Sequence, residues 1–235
     1  MSNFRFDWPR ALGEFIVIVV GVLAALAVDE WRDEREDRMI EAAYLARLQS
    51  DLERDIDTFA AEVSVMQKKA AFLQALIDNS VERQFADNPR ALMEAKVTSS
   101  FRGLPSTVRT SFDELLSTGR LALIRDMSIR NAMSEYYAAY TSLSEQVNTF
   151  SPDEYANLVN GIVPGSIARE WRLSNTISQP QEFLRSLQAL RAHPGLPAAA
   201  NSEIAYATAL EFYLLKFRQQ AIGLLELLER GGDLQ

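Results

Sequence analysis

The chain of 235 residues has no cysteine. That absence removes disulfides, thiolate catalysis and sulfur-ligated metals together, and it leaves the redox compartment open. There is one histidine, His193. A single imidazole cannot build a multi-histidine metal site, and Leu190 three residues upstream rules out a Glu-x-x-His motif. His193 lies in Ala192-His193-Pro194-Gly195, a turn-like stretch, and reads as a loop histidine more readily than as a catalytic base. Glycine and proline number only 10 and 8, which favours a few long helices over many short strands. The glycines form neither a dinucleotide fingerprint nor a phosphate loop, and no serine stands in a nucleophile elbow. No period-2 strand pattern persists and no fixed repeat is present. A basic stripe able to follow a phosphate backbone is missing too, which argues against nucleic acid as a partner. The expectation is a protein that is not an enzyme, with no catalytic, cofactor-binding or metal residues.

What the chain does have is uneven charge and one apolar run. Residues 29–62 hold twelve acids against five bases, whereas 63–235 hold eighteen against seventeen. The net charge of −8 is therefore mostly one acidic stalk. Immediately before it, Phe15 to Val28 are fourteen apolar residues. A bilayer core needs roughly 20, so the run must be extended through Ala11 and Leu12 with Glu14 near one end. Trp8 and Trp31 bracket it at a helical separation of about 34 Å, matching interfacial aromatic belts. Gly21 and Ala25 form a small-xxx-small pair, and Pro9 suits a first helical turn. Glu14 reads as a carboxylate within reach of headgroup water rather than as an ion path. A cleaved signal peptide is the main competitor, since Ala25-Leu26-Ala27 has a small-x-small form. The residues assigned to the anchor are Trp8, Glu14, Phe15, Gly21, Ala25 and Trp31.

Beyond the stalk, Leu45, Leu48, Leu52, Ile56, Phe59, Val63, Met66, Ala70, Leu73 and Ile77 recur in steps of three and four. No proline or glycine interrupts residues 22–88. The spacing predicts one helix from the membrane to about Asn79, near 105 Å long. Its seam suits packing within the domain better than an independent coiled coil, because later helices carry stripes that need cover. Asn88-Pro89 opens a helix to about Ser100. Ser106 is expected to cap another, ending at Gly119, followed by a short connector at Leu121–Ile124. A stripe from Ile129 to Phe150 predicts a long helix, and Ser151-Pro152-Asp153-Glu154 reads as a capping box starting the next. Pro164-Gly165 should end that one. Pro180 begins a helix to about Arg191, residues 193–197 form a loop, and Asn201 caps a final helix stopped by Gly231-Gly232.

The fold expected is all-α: an N-terminal transmembrane helix continuing into a long stalk helix that packs in an antiparallel helical bundle. It divides into a head at 1–10, an anchor at 11–30, a charged stalk and first bundle helix at 31–80, and the remaining bundle at 81–235. Leu52, Phe59, Tyr136, Tyr140 and Phe217 are the expected core. Tyr136, Tyr137 and Tyr140 could instead form a ligand-stacking surface, but the stripe favours packing. Arg109, Arg120 and Arg125 near Glu114 could hold an anion, although paired surface charges are the commoner outcome.

Leu12-Gly13-Glu14 to Trp31, with its Gly21-x-Leu23-x-Ala25-Leu26 middle, resembles an uncharacterised bacterial family of small single-pass membrane proteins. Tyr44 to Leu52 matches that family's Tyr-Leu-x-x-Leu-x-x-Asp-Leu segment. Ser111-Phe112-Asp113-Glu114 through Ile124 matches a second block, followed by the Tyr136-Tyr137 helix. The resemblance covers roughly half the chain and stops at Phe150. It implies a bacterial membrane protein of unassigned function and supplies no catalytic residue. The function expected is a membrane-tethered interaction or scaffolding protein, an accessory subunit of a larger assembly. The alternative is a membrane-anchored sensor that binds a small ligand within the bundle. Its partners are then the lipid bilayer and another protein or a second copy of the chain. Its place is the bacterial inner membrane, with the C-terminal domain outside the cytoplasm, because an acidic stalk is repelled by an anionic cytoplasmic leaflet.

Overall fold

In a computed structural model, residues 8–81, 83, 88–99, 102–149, 153–174, 178 and 180–232 are described. Among them are eight α-helices, one 3-10 turn and no strand: α1 (Trp8–Ile77), α2 (Pro89–Thr98), α3 (Thr110–Ser117), the 3-10 turn (Arg120–Leu123), α4 (Met127–Thr149), α5 (Glu154–Ile162), α6 (Gly165–Ser174), α7 (Pro180–Ala192) and α8 (Leu196–Gly232). The 70 residues of α1 contain Gly13, Gly21 and, at the first turn, Pro9, so little opposes its propagation. It stops where Asn79 turns left-handed at φ 57°, a conformation asparagine tolerates, and the Ser80 N–H returns to the Ala75 carbonyl.

Helix α8 runs back along α1. Gln67 donates to Glu211 while Lys69 donates to Glu203, so position rises on one helix as it falls on the other. Helix α4 runs alongside this pair, with Tyr136 at Asp55 and Tyr140 at Phe59, and together the three bury the first apolar core. Phe59 of α1, Tyr140 of α4 and Phe217 of α8 meet in it, with ring centroids 5.6 Å apart for the first pair and 5.0 Å for the second. Leu52, Tyr136, Tyr137 and Leu214 are buried in the same cluster. The buried stripe of α8, from Ala207 through Leu210, Leu214, Phe217, Ala221, Leu224 and Leu228, has helical three- and four-residue steps. Each such large side chain contributes about 1.5–3 kcal/mol by leaving water.

A second cluster shares no member with the first. It gathers Phe72, Leu73 and Leu76 from the end of α1, Leu92 and Met93 from α2, and Tyr155, Ile167, Phe183 and Leu187 from the short helices. Ala199 and Ala200 of early α8 close it. We refer to the first unit as the bundle and the second as the cap.

Several expected boundaries move. The third helix starts at Thr110 rather than after Ser106, because side chains from α1 hold the intervening backbone in place of helical bonds. Helix α8 starts at Leu196, leaving Asn201 inside it rather than capping it. Pro197 sits in the first turn, where a proline costs nothing. Pro164-Gly165 does end α5, but α6 begins at Gly165; the break is a corner between two helices. Asp153 stands at the start of α5 without a side-chain capping bond. Phe150, Ser151 and Pro152 lie outside the described residues, as does residue 100.

Among the described residues no helix is long and apolar enough to cross a membrane. The side chains of Trp8, Ala11, Gly13 and Glu14 lie outside the described set, and what is described is the fourteen-residue run of α1 from Phe15.

Candidate functional site

Residues 102–126 contain the least regular backbone of the bundle, and polar side chains gather against it. This strap runs antiparallel along α1, from Asp55 at Val108 to Glu41 at Arg125, where backbone groups cut off from water need partners. Acids of α1 supply them. Asp55 Oδ1 accepts from the Val108 N–H at 2.8 Å, Asp51 Oδ2 from the Ser111 N–H at 3.1 Å, and Glu41 Oε1 from the Arg125 N–H at 2.6 Å. All three acids are nearly inaccessible, at 1% exposure for Glu41 and Asp55 and 5% for Asp51. Tyrosines of α4 satisfy the carbonyl side: Tyr137 donates to Val108 O at 3.2 Å, and Tyr140 donates to Pro105 O. Tyr136 donates to Asp55 Oδ2 at 2.8 Å, linking α4 to α1. At the outer edge Glu114 accepts from the Tyr44 hydroxyl at 2.8 Å and pairs with Arg47.

These contacts set the local electrostatics. Burial pushes the Asp55 carboxyl above the usual carboxylate range, against the opposing pull of Val108 and Tyr136. Burial, followed by the charge of Asp55, pushes the phenols of Tyr136 and Tyr137 far up, so both stay protonated donors. Glu114 is held below its usual value, first by its bond to Arg47 and then by Tyr44. Both oxygens of the buried Asp55 carboxylate are engaged, one by the Val108 N–H and one by the Tyr136 hydroxyl. The arrangement positions the strap's backbone against α1. No group of three or more acidic or histidine side chains among the described residues could hold a metal ion.

A second polar cluster lies where the bundle meets the cap. Lys69 Nζ and Glu203 Oε1 are 2.5 Å apart with both side chains fully buried. Glu203 Oε2 continues to Arg102 at 3.1 Å, and Arg102 reaches Asp153 at 2.5 Å. The Tyr206 hydroxyl accepts from the Gly103 N–H at 3.2 Å, and its ring lies 5.5 Å beneath the Lys69 ammonium. On the cap side Ser99 and Tyr155 share a buried hydrogen bond of 2.9 Å. Burial lowers the affinity of Lys69 for its proton, and Glu203 opposes that shift.

The residues singled out by sequence fall in three places. Phe15, Gly21, Ala25 and Trp31 lie on the outward-facing first part of α1, with Trp31 58% exposed and Arg35 stacked 5.7 Å from its ring. A side chain added at Gly21 would meet nothing. Leu52, Phe59, Tyr136, Tyr140 and Phe217 lie in the bundle core. The arginines do not converge: Arg109 binds Asp113 and Thr141, and Arg125 pairs with Glu34 and Glu41. His193 Nδ1 accepts from the Gly195 N–H at 3.1 Å, closing its own turn. Shallow clefts open between the helices, among them two lined largely by apolar surface. One of about 410 Å³ separates α4 from α8 beside Ala139 and Gly223, and one of about 290 Å³ lies between α1 and α2 beside Lys68, Phe72 and Glu94.

Sequence reasoning missed Glu41, Asp51, Asp55, Lys69 and Glu203. A faint signal was present: Asp51 and Asp55 stand four apart beside seam residues Leu52 and Ile56, and Lys69 lies three residues after Met66. Charged groups at seam spacing are either solvated at its margin or buried with partners, and only the fold distinguishes the two.

The chain belongs to a family of unknown function, DUF6090, which it matches over residues 14–150. That span takes in α1 from Glu14, α2, the strap and α4, and it ends before α5, α6, α7 and α8. No curated protein matches the chain, and no solved structure does.

Proposed function

We propose that this member of the family is a membrane-tethered helical module that binds other proteins, held in the bacterial inner membrane by residues 11–30 with its C-terminal domain outside the cytoplasm. The observation that carries the reading is the apolar run of α1, whose large side chains face outward on every side. Phe15 is 63% exposed, Val17 72%, Ile18 64%, Leu23 60% and Val28 62%. Leaving such side chains in water forgoes about 1.5–3 kcal/mol each, and lipid is the cover that fits all sides of a single helix. The run reaches a bilayer's roughly 20 residues when Ala11 to Glu14 and the flanking tryptophans are counted with it. The helix then continues without a break into the bundle core, so a tether of this kind holds the domain rigidly near the surface.

An interaction role is supported by Phe212 and Leu215 of α8, 64% and 47% exposed, and by the engagement of the buried carboxylates in structural hydrogen bonds. The sensor reading draws on the α1–α2 cleft, which has an ammonium and a carboxylate at its rim. Fractionation tests the tether: without residues 1–28 the protein becomes soluble and keeps its helical spectrum, and retention in a carbonate-washed membrane fraction would refute the anchor. A reporter active only outside the cytoplasm, fused after Gln235, works if the orientation is right and fails if it is reversed. Native mass spectrometry of the detergent-extracted protein separates the two functions, a co-purifying protein supporting the module and a retained small molecule the sensor.

A further inference from the structure

The polypeptide passes between bundle and cap four times, and each crossing contributes one residue to an ionic chain that is buried at Lys69 and Glu203 and exposed at Asp153. It leaves the bundle along α1 at Lys69, between Met66 in the first core and Phe72 in the second. After α2 it returns at Arg102, the first residue of the strap. It leaves again ahead of α5 at Asp153, and it comes back along α8 at Glu203, between Ala200 in the second core and Ala207 in the first. The four side chains meet in order, Lys69 to Glu203, Glu203 to Arg102, and Arg102 to Asp153.

We propose that this four-residue chain is a latch, and that the cap opens from it as a unit while the strapped bundle stays folded. The two apolar cores share no member, and α1 and α8 run unbroken through the plane between them, so opening unwinds the end of α1 and the start of α8 with the cap, and the side-chain contacts it breaks at the plane are the ionic ones. Charges buried as a pair lose their hydration, and opening restores it. Parting the protein at the latch is therefore easier than parting it through either core. The strap's hydrogen bonds to Asp51, Asp55 and Glu41 all lie on the bundle side and survive the opening. Such local opening is the way cooperative units separate within a native protein. Independently of the membrane reading, the latch gives the domain a distal part able to rearrange without disturbing the part that continues into residues 11–30.

Hydrogen exchange of the full chain in detergent micelles, resolved by peptide, tests it. In the wild type, amides of α2, α5 and α7 exchange at least about tenfold faster than those of α4 and the core stretch of α8. Glu203→Gln takes one carboxylate from between Lys69 and Arg102, leaving Arg102 its pair with Asp153, and speeds cap exchange about tenfold more, with α4 and the strap amides of Val108, Ser111 and Arg125 unchanged. The paired replacement Lys69→Met with Glu203→Leu substitutes apolar contact for the ionic one and slows cap exchange below the wild-type rate. Should Glu203→Gln prevent folding, Asp153→Asn at the exposed end of the chain gives the same pattern in weaker form. Cap and bundle accelerating together in either single variant would overturn the latch, as would cap exchange indifferent to all three.

Discussion

Bundle and cap both contain backbone that leaves the helix, and they hold it by different means. In the cap the bonds are short in sequence. Asn88 caps Ala91 from three residues away, His193 closes on Gly195, and Ser80 returns to Ala75. In the bundle the strap is held from a distance, with Val108, Ser111 and Arg125 bound to acids of α1 lying 53, 60 and 84 residues earlier. A local turn forms wherever its residues are, whereas the strap's N–H groups find their acceptors only after α1 is in place. The cap's irregular segments are thus properties of their own sequence, and the strap is a property of the folded bundle.

This difference should appear first in the core. Phe59→Ala removes a ring that touches α4 and packs in the cluster shared with α8, and it should cost about 3–5 kcal/mol in a single transition covering both long helices. Loss confined to α1 in circular dichroism and denaturant melts, with α4 and α8 intact, would mean that the seam is an independent coiled coil. Next in size is Asp55→Ala, which leaves the Val108 N–H and the Tyr136 hydroxyl without acceptors and should cost about 1–3 kcal/mol. Asn88→Ala removes one local cap and should cost about 1 kcal/mol, read as faster exchange in α2 alone. If that change loosened the strap as much as the loss of Asp55 does, the division between local and distant support would fail.

The smallest effect is on pH dependence. The folded state raises the Asp55 carboxyl above its ordinary value of 3.8, so the folded protein binds that proton more tightly than the unfolded chain. Its contribution is greatest below the ordinary value and declines as pH rises through the raised one. Glu114, lowered from 4.5, runs the other way, its stabilisation present above that value and lost as pH falls. In chemical denaturation between about pH 4 and 6, Asp55→Asn should therefore gain on the wild type as pH rises. A constant gap between the two proteins across that range would contradict a raised Asp55.

The same division decides what is legible in the sequence. The stripes of α1, α4 and α8 are periodic and local, and the helices they predict are present. Asn88-Pro89 and the His193 turn are local too. The start of α3 is not legible, because Asp51 and Asp55, which replace its first helical bonds, are far away in sequence and look like solvated members of an acidic stalk. Asn201 looks like a cap but is not one, because proline at the second position of α8 has already opened the helix. Two of the stretches that carry the family resemblance, Tyr44–Leu52 and Ser111–Ile124, prove to face one another. Tyr44 donates to Glu114 and Asp51 accepts from Ser111, which gives that part of the likeness a structural meaning.

Three acids of α1 each hold one backbone N–H of the strap. Amide exchange by NMR, on the full chain in micelles, tests this one bond at a time with Asp55→Ala, Asp51→Ala and Glu41→Ala. Amides at Val108, Ser111 and Arg125 are protected in the wild type, and each acid removed costs protection at its own partner alone. Amides exchanging freely in the wild type, or all three losing protection together whichever acid is replaced, would contradict it.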